Sequence, residues 1–160
     1  MRALTVRQPF AWAIAVGGKD VENRSRGTRH RGLLAIHAGK TVYRADLDEP
    51  RILHAIMMKE FEIEEPASRL GAVVAVAELY GCHPCPDETG LSGCMTAARN
   101  GRLCSEWAIE GQHHWRLRNV RPLPEPVPCK GALGLWRLPE DVERAVTGQL
   151  DVLMPIRSAG

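Results

Sequence analysis

Leu4–Gly39, LTVRQPFAWAIAVGGKDVENRSRGTRHRGLLAIHAG, is the stretch on which the reading of this chain turns. It opens on a short alternating segment, Ala3 to Arg7, that suits a first strand. Pro9 follows, where proline is tolerated best, in the first turn of a helix. Phe10, Ala13 and Ile14 share one face of that helix, and Gly17-Gly18 supply its stop. Lys19 to Ser25 alternates polar and charged residues around Val21. Read as extended chain, it sets Lys19, Val21 and Asn23 on one side and Asp20, Glu22 and Arg24 on the other. Gly32 to His37 is a near-continuous apolar run of strand length and is expected to be buried.

The same stretch concentrates charge. The first 40 residues carry eight Lys/Arg (Arg2, Arg7, Lys19, Arg24, Arg26, Arg29, Arg31, Lys40) against Asp20 and Glu22, a local net charge of +6. The other 120 residues carry −4, so the overall +2 conceals a strongly basic N-terminal part, and such asymmetry points to a polyanionic partner. At 160 residues and 44% hydrophobic, the chain reads as one globular domain with a sizeable core. No apolar run reaches the ~18 residues of a membrane span, and the N-terminus lacks a signal-peptide pattern. A cytoplasmic location is the expectation.

Outward from the opening stretch, Tyr43 to Phe61 reads as a helix that Pro50 breaks or restarts, with an acidic loop at Glu60, Glu62, Glu64 and Glu65. Gly71–Tyr80 (GAVVAVAELY), Trp115–Val120 and Gly131–Leu138 (GALGLWRL) read as strands, and Pro139 opens a last helix to about Leu150. Prolines at 84–86 and 122–128 are expected to mark loops. Short strands that outnumber helices and are separated by Gly/Pro turns predict a mainly β, α+β fold: a small β-barrel or closed sheet with peripheral helices.

Three groups of residues carry candidate chemistry. Arginine forks and a lysine point charge suit phosphate oxygens, which makes Lys19, Arg24, Arg26, Arg29 and Arg31 candidate nucleic-acid contacts. Trp12, Trp107, Trp115 and Trp136 are rings that could stack bases, Trp136 being the one expected to fill the core. Alternatively these charges form a solvated face. Glu22 among the cations either pairs with Arg24 at i, i+2 or joins Lys19 in a catalytic set. Glu78, interrupting an apolar strand, faces either solvent or a polar cavity. The third group is the cysteines, five in all and thus an odd number. Cys82, Cys85, Cys94 and Cys104 can be written C-x2-C-x8-C-x9-C. Either they bind zinc, or they are buried or incidental thiols. His113-His114-Trp115 adds imidazoles nearby, but adjacent strand residues point to opposite faces and cannot both ligate one ion easily.

Gln8-Pro9, Ala11, Gly17, Lys19, Glu22, Arg24, Thr28, Arg31-Gly32 and Ile36-His37 occur in an order and spacing that resembles the opening of ASCH domains, of the PUA-like superfamily. GAVVAVAELYGC with Glu78, HWRLRNVRPLPEPVPCKG and GALGLW resemble that family's later strands, so the likeness spans about residues 3–138, before the C-terminal helix at about 139–150. The resemblance implies a PUA-like β-barrel whose cleft is lined by Lys19, Glu22, Arg24 and Glu78, and it implies RNA or other single-stranded nucleic acid as partner. Some small relatives hydrolyse acylated cytidine-type nucleosides with a Lys, Thr and Glu set, and others have been considered ribonucleases. Here Glu22 stands where the hydrolase pattern has Thr, Phe10 stands for the usual Trp after Gln-Pro, and Arg26 stands for the Trp after Arg-Ser. The expectation is therefore a nucleic-acid-binding module. The alternative is a small hydrolase of a modified cytidine or of RNA that uses Lys19 with Glu22 or Glu78.

Overall fold

The computed structural model describes residues 1–60, 68–87, 89, 94 and 102–153. The expected acidic loop lies, beyond Glu60, outside the described residues. In chain order the elements are β1 (Arg2–Gln8), α1 (Phe10–Ala15), β2 (Val21–Arg24), β3 (Gly32–Val42), α2 (Arg44–Leu47), α3 (Pro50–Lys59), β4 (Ala72–Pro84), β5 (His113–Pro128), β6 (Leu135–Arg137) and α4 (Glu140–Leu153). One six-stranded sheet runs β2-β5-β4-β3-β1-β6. Only β1 and β3 pair in parallel, and β2 and β6 are its edges. The fold is α+β as anticipated, and its hydrogen-bonded sheet is open rather than a closed ring.

The apolar run of β3 is explained by cover on both faces. Leu34 and Ile36 point into a cluster with Leu4, Val6, Ala11, Ile14, Leu79 and Leu117, beneath α1. Ala35, between them, points the other way, into a cluster closed by Val142, Val146 and Leu150 of α4. A third cluster joins Trp12, Ala13 and Val21 to Ile52, Ala55 and Ile56 of α3 and to Trp107. Gln8, 1% exposed, starts α1: its Oε1 accepts from Trp12 N–H at 2.9 Å and its Nε2 donates to the Arg69 carbonyl at 3.1 Å.

Pro50 restarts the predicted long helix as the first residue of α3, where Glu49 accepts from Ile52 N–H at 3.3 Å. The prolines at 122–128 do not form a loop but the distal half of β5. They fit because β2 pairs with β5 only from His113 to Arg116, leaving the later residues as an edge where missing N–H groups are tolerated. Gly131–Leu138 is extended only at Leu135–Arg137. Its glycine is explained by close approach, since a Cβ on Gly131 would lie 2.5 Å from His37 Cε1.

Three expectations follow for stability. Ile36 has no exposed surface, and Ile36→Ala should cost about 2–5 kcal/mol in urea unfolding. Leu133, 99% exposed, should change stability by less than about 0.5 kcal/mol when replaced by alanine. His37 is buried, and burial pushes its imidazole below the ordinary 6.5 despite a hydrogen bond to the Cys129 carbonyl. The unfolded chain then takes up the proton first, so stability is full above about pH 6.5 and declines as pH drops below it. The urea midpoint should fall between pH 7 and pH 5, and His37→Gln should make that fall shallower.

Candidate functional site

Lys19 is delivered by a turn rather than a strand. The chain leaves α1 through Gly17, where a Cβ would sit 2.8 Å from Ala13 Cα, and Gly18, whose φ of +79° favours glycine. Lys19 N–H then returns to the Ala13 carbonyl at 2.9 Å. Because β2 begins at Val21, the alternation rule does not govern Lys19, and its side chain does not point away from Glu22. Its ammonium donates to the Val21 carbonyl and lies 3.2 Å from Glu22 Oε2. Within β2, Glu22 and Arg24 do share a face: Arg24 reaches Glu22 Oε1 at 3.6 Å.

Lys19 and Glu22 are 3% and 7% exposed. They line a cavity of about 530 Å³ between the β1 and β3 ends, β2, the loop carrying Trp107 and Ile109, and residues 132–134. Among the described residues, five cations face it, Arg7, Lys19, Arg24, Lys40 and Arg51, against the single carboxylate of Glu22. Arg7 is partly neutralised by Asp46 at 3.1 Å and Arg51 by Glu49 at 2.5 Å. Glu22, shared by two cations, leaves its own triplet with a positive balance. Trp107 gives the cavity an aromatic wall, with Arg51 stacked 5.4 Å and Lys19 5.9 Å from its ring centre.

The predicted residues therefore separate into groups. Lys19, Glu22 and Arg24 come together. Arg26, Arg29 and Arg31 are exposed on the β2–β3 connection and do not line the cavity. Trp12 is 4% exposed within the third core cluster, because α1 packs that face against α3, so it presents no ring for stacking. Trp107 belongs to the same cluster and is 8% exposed, but unlike Trp12 it lines the cavity. Its loop carries no sequence periodicity, so the sequence offers Trp107 only as one of four indoles that could stack a base. Glu78 does not line the cavity. It is held by Arg118 at 2.6 Å and Asn119 at 2.9 Å, hydrogen bonds that keep its carboxyl below the usual range.

The cysteine set is rearranged in space. Cys82 turns toward Thr28, whose N–H approaches its sulfur at 3.4 Å, while the next residue, His83, turns to the opposite face as strand alternation requires. There His83 meets Cys94, Cys104 and His114. Cys85 stays beside Cys94, 3.6 Å between sulfurs. Burial pushes the thiols of Cys85 and Cys104 up to about 11 and about 12.

No protein-family model and no curated protein sequence matches this chain. Solved structures do. The crystal structure of ASCH from Zymomonas mobilis superposes with a TM-score of 0.51 at 16% identity, over 92% of this chain and 93% of that one. A mutant of the ASCH protein from the same organism gives 0.50 at 17% identity, over 92% and 96%. Agreement over nearly the full length of both chains at so low an identity speaks for the backbone and not for an activity. The protein has the fold of these ASCH structures.

Proposed function

We propose that the protein binds single-stranded nucleic acid, RNA foremost, with one base lodged against Trp107 and the adjoining phosphates on the cavity's cations. The observation that carries this reading is the convergence of Lys19, Glu22 and Arg24 in a cavity with five lining cations, one carboxylate and an indole wall. Its volume of about 530 Å³ falls in the ordinary range for small-molecule pockets, about 300–1,000 Å³. A nucleobase presents a π-face to Trp107, and Glu22 can accept from a base N–H. The exposed Arg26, Arg29 and Arg31 extend the positive surface beyond Arg24, so a strand leaving the pocket would keep meeting cations. A buried ion pair is a poor way to stabilise a core compared with apolar side chains. A ligand gives Lys19 and Glu22 a reason to be there.

A second reading rests on that same burial. Lys19 and Glu22, 3.2 Å apart in the cavity, could serve a hydrolase of acylated or otherwise modified cytidine, Lys19 activating the nucleophile and Glu22 moving the proton. Glu78, turned to Arg118 and Asn119, has no part in it.

Anisotropy titration of labelled single-stranded RNA tests the first reading. With about three to five phosphate contacts, log K should fall against log salt with a slope of about −2 to −3.5, roughly 15- to 130-fold between 50 and 200 mM. Arg24→Ala with Lys40→Ala should flatten that slope by about 1.4. An affinity that does not change with salt would sink the binding proposal. For the hydrolase reading, Lys19→Ala should abolish turnover of a panel of acylated cytidines with the circular dichroism spectrum unchanged. A wild-type protein inert toward the panel, or a variant still active, removes that alternative.

A further inference from the structure

His83 from β4, His114 from β5, and Cys94 and Cys104 from the segment between them each bring one donor atom to within 4.8 Å of the others. Cys94 and Cys104 place their sulfurs 3.4 and 3.3 Å from His114 Nδ1. A tetrahedral zinc ion, with Zn–S of about 2.3 Å and Zn–N of about 2.0–2.1 Å, sets its ligand atoms about 3.4–3.8 Å apart. The observed separations are close to those edges.

The two imidazoles are oriented for the same purpose. His83 Nδ1 lies 2.8 Å from the Pro84 carbonyl and His114 Nε2 lies 2.9 Å from the Ile109 carbonyl. A carbonyl only accepts, so each of those nitrogens carries the ring proton and leaves its lone pair on the other one. In His83 that is Nε2, a buried atom with no hydrogen-bond partner among the described residues. In His114 it is Nδ1, which faces the two sulfurs. Metal-binding histidines are fixed in this way, the distal N–H tied to a carbonyl and the lone pair turned to the ion.

We propose that His83, Cys94, Cys104 and His114 form a structural zinc site. Two thiolates and two neutral imidazoles balance the ion's charge, a donor set that favours zinc over harder cations. With four protein ligands no coordination position is left open, so the site holds structure and does no chemistry. What it holds is the wall of the cavity. Cys104 and His114 bracket the segment that carries Trp107 and Ile109. Within it, Asn23 Nδ2 donates to the Trp107 carbonyl at 2.8 Å, and Ile109 N–H donates to Asn23 Oδ1 at 3.0 Å. The ion thus fixes the loop that faces Lys19 and Glu22. The inference does not depend on what the cavity binds.

The competing chemistry is a disulfide between Cys85 and Cys94, whose sulfurs already lie 3.6 Å apart. The test is metal analysis of the full chain, purified without a metal-affinity step from zinc-supplemented culture. About one zinc per chain is expected, and cobalt substitution should give thiolate-to-cobalt charge transfer with the visible bands of a tetrahedral site. His83→Ala and Cys104→Ala should each cut metal content to below about one-tenth, while Cys82→Ser and Cys129→Ser keep it. Chelation should lower the thermal midpoint of the loaded protein. Wild-type protein with under about one-tenth equivalent of zinc and no cobalt spectrum overturns the proposal whatever the variants do. So does a Cys85–Cys94 disulfide in protein that takes up no metal, full metal retention by His83→Ala and Cys104→Ala, or a midpoint that chelation leaves unmoved.

Discussion

One row of residues across three strands determines how the functional half of this molecule is arranged. The ladders register Asn23 of β2 against His114 of β5, and His114 against His83 of β4. Because side chains alternate along each strand, fixing this row also fixes its neighbours. Glu22, one step from Asn23, reaches the cavity, and Cys82, one step from His83, turns toward Thr28. A slip of one residue in either ladder would exchange these faces. A slip between β2 and β5 would dismantle the basic pocket, and one between β4 and β5 the thiol–imidazole cluster. The two sites are thus geometric consequences of one register, joined through Asn23 and the 104–109 loop.

Charge is distributed on the same frame by distance from the core. Lys19 and Glu22 sit where water is largely excluded, each the other's partner at 3.2 Å. Arg24 is the intermediate case, bound to Glu22 yet 30% exposed at its side chain and lying over the Trp115 ring. Farther out, Arg31 spends its guanidinium on the Thr28 and His30 carbonyls, so part of the basic stretch shapes its own connection. The +6 counted along the first 40 residues is therefore not a uniform patch. It grades from a desolvated pair to a hydrated rim, and an anion would meet the rim first.

The legible parts of the sequence were those whose physics is local. The apolar run of β3, the proline and double glycine around α1, and the proline start of α3 all announce themselves within a few residues, and the structure has them there. The association of Glu22 with Arg24 was legible because both lie in one strand. The approach of Lys19 to Glu22 was not, since it depends on where the Gly17–Gly18 turn hands over to β2. Arg51 entered the cavity unannounced, from a helix distant in sequence, and nothing in the sequence singled out Trp107 from the other tryptophans. The cysteine spacing named two of the four clustered donors. The spacing could not show that His83 and His114 would replace Cys82 and Cys85, because their meeting is a cross-strand event. The proline series at 122–128 misled for a related reason: proline excludes a central strand but not an edge.

That edge has a consequence for how the protein behaves among its own copies. Beyond Arg116, β5 runs on without β2 beside it, and an uncovered strand of this length is a template on which a second chain could add its own. Four of its last seven residues, Pro122, Pro124, Pro126 and Pro128, have no N–H to offer. The backbone of Glu125 is also taken, its N–H and carbonyl both bonded to the Gln149 side chain of α4 at 3.0 Å. A strand arriving there would find few donors to pair with. The proline series and the Glu125–Gln149 bonds thus leave this stretch of β5 poor in free backbone donors, which disfavours edge-to-edge pairing there.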